Sequence, residues 1–332
     1  MKNEYMKATA LAPSNISFIK YWGKKNEDLR LPVNGSISMN LSNLLTTTTV
    51  EFDPDYKKDD VIFINDDLDH SVGEKRIITH LDRIRSRAQI KVKAKVVSKN
   101  NFPSGTGLSS SASGFAALTL AASRAAGLHL FEKELTILAR LGSGSACRSI
   151  PDGFTEWLSG NSSETSYAIS IYPPDYWDIV DIVAIVSDDK KEVSSTEGQK
   201  LADSSAFASL RFSKINNKIK FLKQYLRVKN FTKFGELVEA EALEMHAIMM
   251  TSIPSLLYIM PESLKIMHLV KKWRTEGYEV YFTLNTGQDI HLICQEKNRG
   301  KIYQLLSEIS EVKQIIVNKP SKGARLLNEH LF

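Results

Sequence analysis

The sequence predicts an α+β fold, because strand-like and helix-like segments come in blocks rather than in strict alternation. Residues 33–52 are β-prone, most strongly from Thr46 to Val50. After Val186, long segments carry apolar residues at helical spacing instead. With 332 residues the chain can form two domains. We predict an N-terminal lobe at 1–185 and a C-terminal lobe at 186–332.

In the first lobe, each element follows from its apolar pattern. Ile77, Ile78, Leu81 and Ile84 recur at helical spacing, whereas residues 90–99 alternate as a half-buried strand does. The predicted elements are strands at 7–20 and 33–52, a turn-rich β excursion at 53–70, a helix at 74–89, a strand at 90–99, and helices at 109–126 and 132–140.

In the second lobe, the amphipathic segments are longer and precede most of the strands. The predicted elements are helices at 199–226, 231–250 and 261–276, strands at 278–284 and 289–295, a helix at 298–308, and a strand at 313–317.

Composition narrows the class of protein. Hydrophobic residues make up 42% and charged residues 24%, as in a typical soluble globular protein. The net charge of +5 is spread along the chain, which disfavours a nucleic-acid-binding stripe. No secretory or membrane segment is visible, and two cysteines give no disulfide framework. We expect a cytoplasmic protein. The seven histidines lack metal-ligand spacing, so we expect no bound zinc.

A glycine- and serine-rich loop precedes the helix predicted at 109–126. Gly105 and Gly107 allow a tight backbone turn. The serines that follow put hydroxyls and free backbone N–H groups at a helix N-terminus, where negative charge is favoured; they are Ser109, Ser110 and Ser111. An ordinary helix cap would explain such a loop by itself.

Two further segments favour a polyanion. The run Gly142–Ser149 repeats the glycines and hydroxyls and adds Arg148, which can bind phosphate or carboxylate as a bidentate fork. Lys20, Tyr21 and Lys24 lie close together just after the first strand. Together, the three segments predict a small phosphorylated ligand.

These segments also carry a family resemblance. The runs APSNISFIKYWGK (12–24) and GSGSACRS (142–149) resemble signatures of the diphosphomevalonate decarboxylases, which belong to the GHMP superfamily. Residues 100–111, 193–196 and 245–247 are similar as well, so that the resemblance spans about residues 8 to 295.

The resemblance implies a GHMP fold: an N-terminal lobe like domain 2 of ribosomal protein S5, a ferredoxin-like C-terminal lobe, a deep cleft between them, and a homodimer. It implies that Lys20 lies near the C3 oxygen of the substrate and that the substrate phosphates are held by Tyr21, Lys24, Ser143, Ser145, Arg148 and Ser194. The usual enzyme of the family phosphorylates the 3-hydroxyl with ATP and Mg²⁺, after which phosphate and CO2 leave.

One position departs from the family in a way that bears on chemistry. Where the family has an aspartate, the proposed base, this chain has Asn285, whose carboxamide cannot take a proton near neutral pH. One explanation is sequence drift at this position, with Asp289, four residues further on, serving as the acid instead. Another is a substrate already phosphorylated at C3, which a carboxylate 4 Å away would repel by about 4 kcal/mol at an effective dielectric of 20.

Other departures are weaker. Leu141 replaces a common lysine, and Thr106 replaces an alanine that lines the nucleotide site. Asp152 replaces a glycine; it could orient Arg148, or it could be an exposed turn residue.

From these departures we predict a mevalonate 3,5-bisphosphate decarboxylase of the archaeal branch. Such an enzyme releases phosphate and CO2 without ATP or metal and forms isopentenyl phosphate. The alternatives are an ATP- and Mg²⁺-dependent decarboxylase of mevalonate 5-diphosphate or 5-phosphate, and a silent homologue that only binds an isoprenoid intermediate. We expect no nucleic-acid or membrane partner. The predicted catalytic set is Lys20, Arg148, Asn285, Asp152 and Asp289.

Overall fold

Two large sheets covered by helices, together with a small two-stranded sheet, confirm the predicted α+β class. The computed structural model describes residues 7–56, 59–68, 72–103, 105–187, 189 and 191–332. Parts of the predicted excursion at 53–70 and residue 104 of the first glycine loop therefore lie outside the described residues.

The N-terminal lobe is built on a long antiparallel pair, β1 (Lys7–Ile19) and β4 (Ser36–Phe52). The other strands of this lobe are β2 (Lys24–Asn26), β3 (Leu31–Pro32), β5 (Val61–Ile64), β6 (Asp67–Leu68), β7 (Ala94–Asn100), β8 (Phe154–Trp157) and β9 (Ala168–Tyr172). Its helices are α1 (Val72–Ala88), α2 (Ser110–Ala125) and α3 (Glu132–Gly142), followed by a 3-10 turn at Gly144–Ser149. The helix α2 packs across β1 and β4.

The C-terminal lobe has a four-stranded antiparallel sheet. Its strands are β10 (Ile179–Ile185), β11 (Val280–Thr283), β12 (Ile290–Gln295) and β13 (Gln314–Asn318), in the order β11-β12-β10-β13. Its helices are α4 (Ser195–Gly198), α5 (Ala208–Arg227), α6 (Phe231–Thr251), α7 (Pro261–Thr275) and α8 (Glu296–Ser307). Within the described part of the chain, none of these helices, nor α1 to α3, is long and apolar enough to cross a membrane.

The chain ends by returning to the first lobe. A short strand, β14 (Arg325–Leu327), pairs with β1, so that the large sheet runs β14-β1-β4-β7-β5-β6, with β8 attached to β4 and β9 attached to β8. Since β10 belongs to the second sheet, the boundary predicted near residue 185 falls at the end of a strand rather than between the sheets.

The helix predicted at 199–226 is interrupted. A 3-10 turn at Gln199–Ser204 precedes α5, because the Ser205 hydroxyl accepts the backbone N–H of Phe207 at 3.2 Å and so competes with continuous helix. The strands β8 to β10 and β14 were not predicted. The strand predicted at 90–99 begins only at Ala94.

An apolar core joins the two lobes. Phe18 of β1 packs edge-on against Phe234 of α6, with ring centroids 4.9 Å apart. Such a pair contributes about 0.5–1.5 kcal/mol beyond the buried area. This packing fixes the end of β1, and with it the Lys20–Lys24 segment, against the C-terminal lobe.

A buried charge network lies beside this core. Glu241 of α6 is fully buried and accepts hydrogen bonds from the backbone N–H of Lys20 at 3.1 Å and from the Lys218 amine at 2.8 Å. It also pairs with the guanidinium of Arg211, which is itself buried. One carboxylate therefore holds two cations of α5 and the end of β1 together.

We expect Glu241→Gln to lower the free energy of unfolding by about 3–5 kcal/mol, because it leaves buried cations without a counter-charge. Chemical denaturation with far-UV circular dichroism would measure this. The control is Glu236→Gln on the same helix, whose pair with Lys233 is exposed and screened by solvent, so its loss should leave the free energy of unfolding nearly unchanged. If both variants lose the same free energy of unfolding, the buried network around Glu241 does not stabilise the fold as described.

Candidate functional site

The largest concentration of predicted site residues lines one cavity of about 220 Å³ between the lobes, here called the main cavity. Its lining contains four cationic side chains, from Arg30, Arg76, Arg148 and Lys191, and among the described residues no carboxylate. The predicted residues that line it are Tyr21, Gly105, Gly107, Ser109, Ser110, Ser111, Ser143, Ser145, Arg148, Ser194 and Asn285. A polar, purely cationic lining suits a polyanion.

The N-terminus of α2 forms one wall. The backbone at Gly105 and Gly107 has φ of 88° and 116°, and Ser109 has φ of 58°, so the loop turns sharply into the helix. Ser110 and Ser111, the first residues of α2, line the cavity at this helix N-terminus, where the helix dipole favours negative charge. The hydroxyl of Ser111 lies 3.2 Å from that of Ser143, which ties the two predicted glycine loops together.

Arg148 forms the opposite wall and is held on three sides. Its Nε donates to Ser38 Oγ at 3.0 Å, Nη1 to Ser36 Oγ at 2.6 Å, and Nη2 to Asn15 Oδ1 at 3.2 Å. These partners are neutral, so the positive charge of Arg148 stays available to a ligand. Burial lowers the pKa of Arg148 from its usual value.

Asn285 lies at the joint of the lobes. Its Oδ1 accepts from Ser17 Oγ at 2.9 Å, and its Nδ2 donates to Ser109 Oγ at 3.0 Å and to the Asn15 carbonyl at 3.3 Å. Its backbone carbonyl accepts from His246 Nε2 at 3.0 Å. The amide is therefore fixed in orientation, with both of its polar atoms directed by residues of the first lobe.

Two predicted lysines do not line the main cavity. Lys20 is fully buried, and its amine donates to the Ser17 carbonyl at 2.6 Å. Burial holds the pKa of Lys20 well below its usual value; nearby Arg148 and Arg211 lower it further, and Glu241 opposes them. The amine of Lys24 pairs with Glu27 instead of pointing to the cavity.

The two predicted carboxylates also lie elsewhere. Asp152 is exposed and accepts the backbone N–H of Gly323 at 2.7 Å, whereas Arg148 bonds to serines and an asparagine. Asp289 is buried behind the first glycine loop, where its Oδ1 accepts the Val186 N–H at 3.2 Å. This geometry supports neither an acid at C3 nor an aspartate that orients Arg148.

Thr106 likewise points away from the ligand space. It is fully buried, faces Asp289 and does not line the main cavity. Neither Thr106 Oγ1 nor Asp289 Oδ2 completes a hydrogen bond within the described residues. Burial, only partly opposed by Thr106 and Val186, raises the pKa of Asp289 to about 6.

Three cations of the main cavity were not predicted. Lys191 donates to Ser195 Oγ at 2.8 Å and to the Thr286 carbonyl at 2.7 Å, and burial lowers its pKa to about 8. Lys191 lies just before the 193–196 run that carries part of the family resemblance, so its position in the sequence could have indicated a site residue. Arg30 and Arg76 sit in segments with no recognisable motif, so only the tertiary fold reveals them.

A second cavity, also of about 220 Å³, opens beside the N-terminus of α2. Its apolar lining includes Ile77, Val96, Phe115 and Leu118. Ser110, Ser111 and Arg76 line both cavities. An apolar slot that continues into a phosphate-binding helix terminus has the form of a nucleotide site.

The two-lobed fold and the anion cavity at a glycine loop define a GHMP-type small-molecule enzyme. The family comparison specifies it further. Residues 12–168 match the diphosphomevalonate decarboxylase-like N-terminal domain, and residues 181–328 match the mevalonate 5-diphosphate decarboxylase C-terminal domain. The chain belongs to the diphosphomevalonate decarboxylase family.

Individual relatives of the chain carry the same family name. The diphosphomevalonate decarboxylase of Candida albicans is 34% identical, covering 90% of this chain and 87% of that protein. The human diphosphomevalonate decarboxylase is 33% identical, over 84% and 74% of the two chains. The solved structure described as MDDEF in complex with MVAPP, AMPPCP and magnesium superposes with a TM-score of 0.91 at 36% identity, covering 97% of this chain and 99% of that one.

These structures correct the expectation that no nucleotide or metal is used. The relative bound to MVAPP also holds the ATP analogue AMPPCP and magnesium. A second, from Enterococcus faecalis, is described by its mevalonate diphosphate mediated ATP binding mechanism, at 35% identity and a TM-score of 0.91. The prediction of a cofactor-free reaction, based on Asn285, was wrong in this respect, and these relatives do not show an archaeal branch.

Because the pKa of Asp289 is raised in the folded protein, the free energy of unfolding should depend on pH. Because its folded pKa of about 6 exceeds the unfolded value of 3.8, its stabilising effect is present below the unfolded pKa and is lost as the pH rises through 6. We expect the free energy of unfolding of Asp289→Asn, relative to that of the native chain, to rise by an amount on the order of 2–3 kcal/mol between pH 4 and pH 8. Urea unfolding across this range measures the change.

Asp203→Asn, at an exposed position, serves as the control and should show no such trend. If the stability difference between Asp289→Asn and the native chain does not change with pH, the raised pKa assigned to Asp289 is contradicted.

Proposed function

We propose that this protein is an ATP- and Mg²⁺-dependent decarboxylase of a 5-phosphorylated mevalonate. The main observation is the cavity with four cations and no carboxylate among its described lining residues, between the α2 N-terminus and Arg148. The relatives bound to mevalonate diphosphate and an ATP analogue support the same choice. The homodimer and the cytoplasmic location expected from the resemblance stay predictions.

The chain offers a place for the nucleotide; among the described residues the main cavity has no carboxylate to hold Mg²⁺, so the metal would be carried by the nucleotide phosphates. The apolar cavity beside α2 would hold the base, and the N–H groups and hydroxyls of Ser109–Ser111 would hold its phosphates. Lys191, whose amine is already directed by Thr286, lies at the other edge of the main cavity. Bound ATP with Mg²⁺ would supply the phosphoryl group that makes the 3-hydroxyl a leaving group.

Asn285 is compatible with this reaction. The transition state of phosphoryl transfer is loose in most analyses, so most of the catalysis comes from positioning and charge stabilisation rather than from a strong base. A fixed carboxamide positions the 3-hydroxyl without taking its proton. Arg148 then stabilises the charge that develops as phosphate leaves and orients the carboxylate that is lost as CO2.

The direct test measures CO2 release from ¹⁴C-carboxyl-labelled mevalonate 5-diphosphate, mevalonate 5-phosphate and mevalonate 3,5-bisphosphate, each with and without ATP and Mg²⁺. We expect release from a 5-phosphorylated substrate only when both ATP and Mg²⁺ are present. Turnover of the 3,5-bisphosphate without nucleotide would overturn the proposal. Binding without turnover under every condition would indicate a silent homologue.

We expect Asn285→Asp to raise the ATP-dependent rate at least about tenfold, because general-base assistance typically contributes 10²–10⁴-fold. The Ser17 and Ser109 hydroxyls can both donate to the new carboxylate, whereas the hydrogen bond to the Asn15 carbonyl is lost. Steady-state kcat at saturating ATP measures the effect. Asn217→Asp, which adds the same charge at an exposed position, is the control. A fall in kcat would show that a carboxylate repels the substrate and would contradict the proposal.

A further inference from the structure

The connection between β11 and β12, residues 284–289, packs directly against the first glycine loop, residues 105–109. The two segments touch through their backbones: a Cβ added to Gly107 would lie 2.5 Å from the Cα of Gly287. A Cβ added to Gly287 would lie 2.1 Å from the Thr106 carbonyl oxygen. Because no side chain fits between them, a shift of the connection must also move the loop that enters α2.

Asp289 ends this connection and lies behind the loop. Its side chain is buried and faces Thr106, which is fully buried as well. Asp289 Oδ2 and Thr106 Oγ1 both lack a hydrogen-bond partner within the part of the chain that the structure describes. Two buried polar atoms that face each other cost free energy until they pair. The carboxyl of Asp289 is therefore placed to act on the glycine loop through the Thr106 hydroxyl.

The other oxygen of Asp289 is held at the end of β10. Asp289 Oδ1 accepts the backbone N–H of Val186 at 3.2 Å. Burial raises the pKa of Asp289 to about 6, and Thr106, backbone N–H groups and His291 oppose that effect only in part. The carboxyl is therefore neutral below pH 6 and ionised above it.

Charged groups near Asp289 are engaged by other partners. His291 Nδ1 lies 3.0 Å from both carboxylate oxygens of Asp181. Asp189 Oδ2 accepts from a neighbouring serine hydroxyl at 3.0 Å, and the Lys191 amine donates to a backbone carbonyl at 2.7 Å. The variable charge behind the glycine loop is therefore that of Asp289 itself.

A variable charge in this place acts on an anion site. The N-terminus of α2 at Ser109–Ser111 favours negative charge, because the helix dipole and the first N–H groups are directed there. An ionised Asp289 behind the loop opposes that preference, and a neutral Asp289 does not. The neutral carboxyl can also donate its proton to Thr106 Oγ1 while Oδ1 continues to accept from Val186.

We propose that Asp289 is a positioning residue for the nucleotide: neutral Asp289, acting through Thr106, holds the glycine loop in the form that accepts the nucleotide phosphates, and ionised Asp289 opposes their binding. This inference rests on the proposed function, since it places those phosphates at the α2 N-terminus. A nucleotide that prefers the neutral form must, by linkage, favour proton uptake as it binds.

The test measures the Kd of the ATP analogue AMPPCP with Mg²⁺ by calorimetry between pH 5.5 and pH 8, with and without saturating mevalonate 5-diphosphate. The native chain is compared with Asp289→Asn, which cannot ionise, so that titration of the analogue itself cancels. We expect the ratio of the native Kd to the Asp289→Asn Kd to rise at least fivefold from pH 5.5 to pH 8. A ratio that does not change with pH would overturn the inference.

Proton uptake gives a second readout. Calorimetry at pH 7 in buffers with different enthalpies of ionisation counts the protons that are taken up with AMPPCP. The native chain should take up more protons than Asp289→Asn. Asp203→Asn, at an exposed position, is the matched control and should behave as the native chain does. Equal uptake by the native chain and Asp289→Asn would contradict the role of Asp289.

Variants of Thr106 separate the contact from the charge. Thr106→Val removes the hydroxyl and should weaken AMPPCP binding at least threefold at pH 5.5, where Asp289 is neutral. Thr106→Ser keeps a hydroxyl and should restore most of the affinity. In steady-state assays, KM for ATP should follow these changes, whereas KM for mevalonate 5-diphosphate should not. Equal Kd values for Thr106→Val and Thr106→Ser would show that Asp289 does not act through this hydroxyl.

The outcomes distinguish this inference from the proposed function. If the Kd ratio depends on pH as expected but the native chain releases no CO2 from any substrate, only the proposed function fails. If CO2 is released with ATP and Mg²⁺ and the ratio does not change with pH, only the role of Asp289 fails. If AMPPCP does not bind the native chain under either condition, both are overturned.

Discussion

The site depends on one polar joint between the lobes, the side chain of Asn285. It accepts from Ser17 of β1 and donates to Ser109 at the entrance of α2 and to the backbone of Asn15. Because all three contacts cross from the second lobe to the first, they fix the α2 N-terminus relative to Arg148, which the same Asn15 also holds through its side chain. Together with the apolar core around Phe18 and the Glu241 network, these contacts hold the two walls of the main cavity at their spacing.

Charge is distributed around this joint in layers. The cavity surface carries arginines and Lys191 and, within the described residues, no carboxylate, whereas the buried layer beneath β1 pairs Glu241 with Arg211 and Lys218. Lys20 lies between the layers, and burial favours its neutral form. His246, with a pKa lowered to about 4 by burial and by Lys20, is neutral too and donates to Asn285 through Nε2, since a carbonyl oxygen can only accept. The positive charge that Glu241 does not neutralise therefore lies on the cavity side of Asn285.

The sequence allowed the fold class, most helices and the two glycine loops to be predicted, because apolar periodicity and local turn chemistry are properties of short segments. It also led to Arg148, Tyr21 and the serines, through motifs that are continuous in the chain. It could not place Lys20, Asp152 or Asp289, since burial and the partners Ser17, Gly323 and Val186 are set by tertiary packing. Arg30 and Arg76 were missed because they converge only when α1 packs beside the end of α3. The inference from Asn285 to a cofactor-free reaction is contradicted by relatives that bind an ATP analogue and magnesium, because one missing base does not by itself exclude a nucleotide.

The proposed function requires that the main cavity hold both the substrate and the terminal phosphate of the nucleotide beside Asn285. A crystal structure of the protein with mevalonate 5-diphosphate, a non-hydrolysable ATP analogue and Mg²⁺ would test it most directly. The account predicts the C3 oxygen within hydrogen-bond distance of Asn285, the terminal phosphate of the nucleotide at Ser109–Ser111, and the carboxylate near Arg148. A nucleotide bound away from α2, or a substrate whose C3 oxygen points away from Asn285, would contradict it.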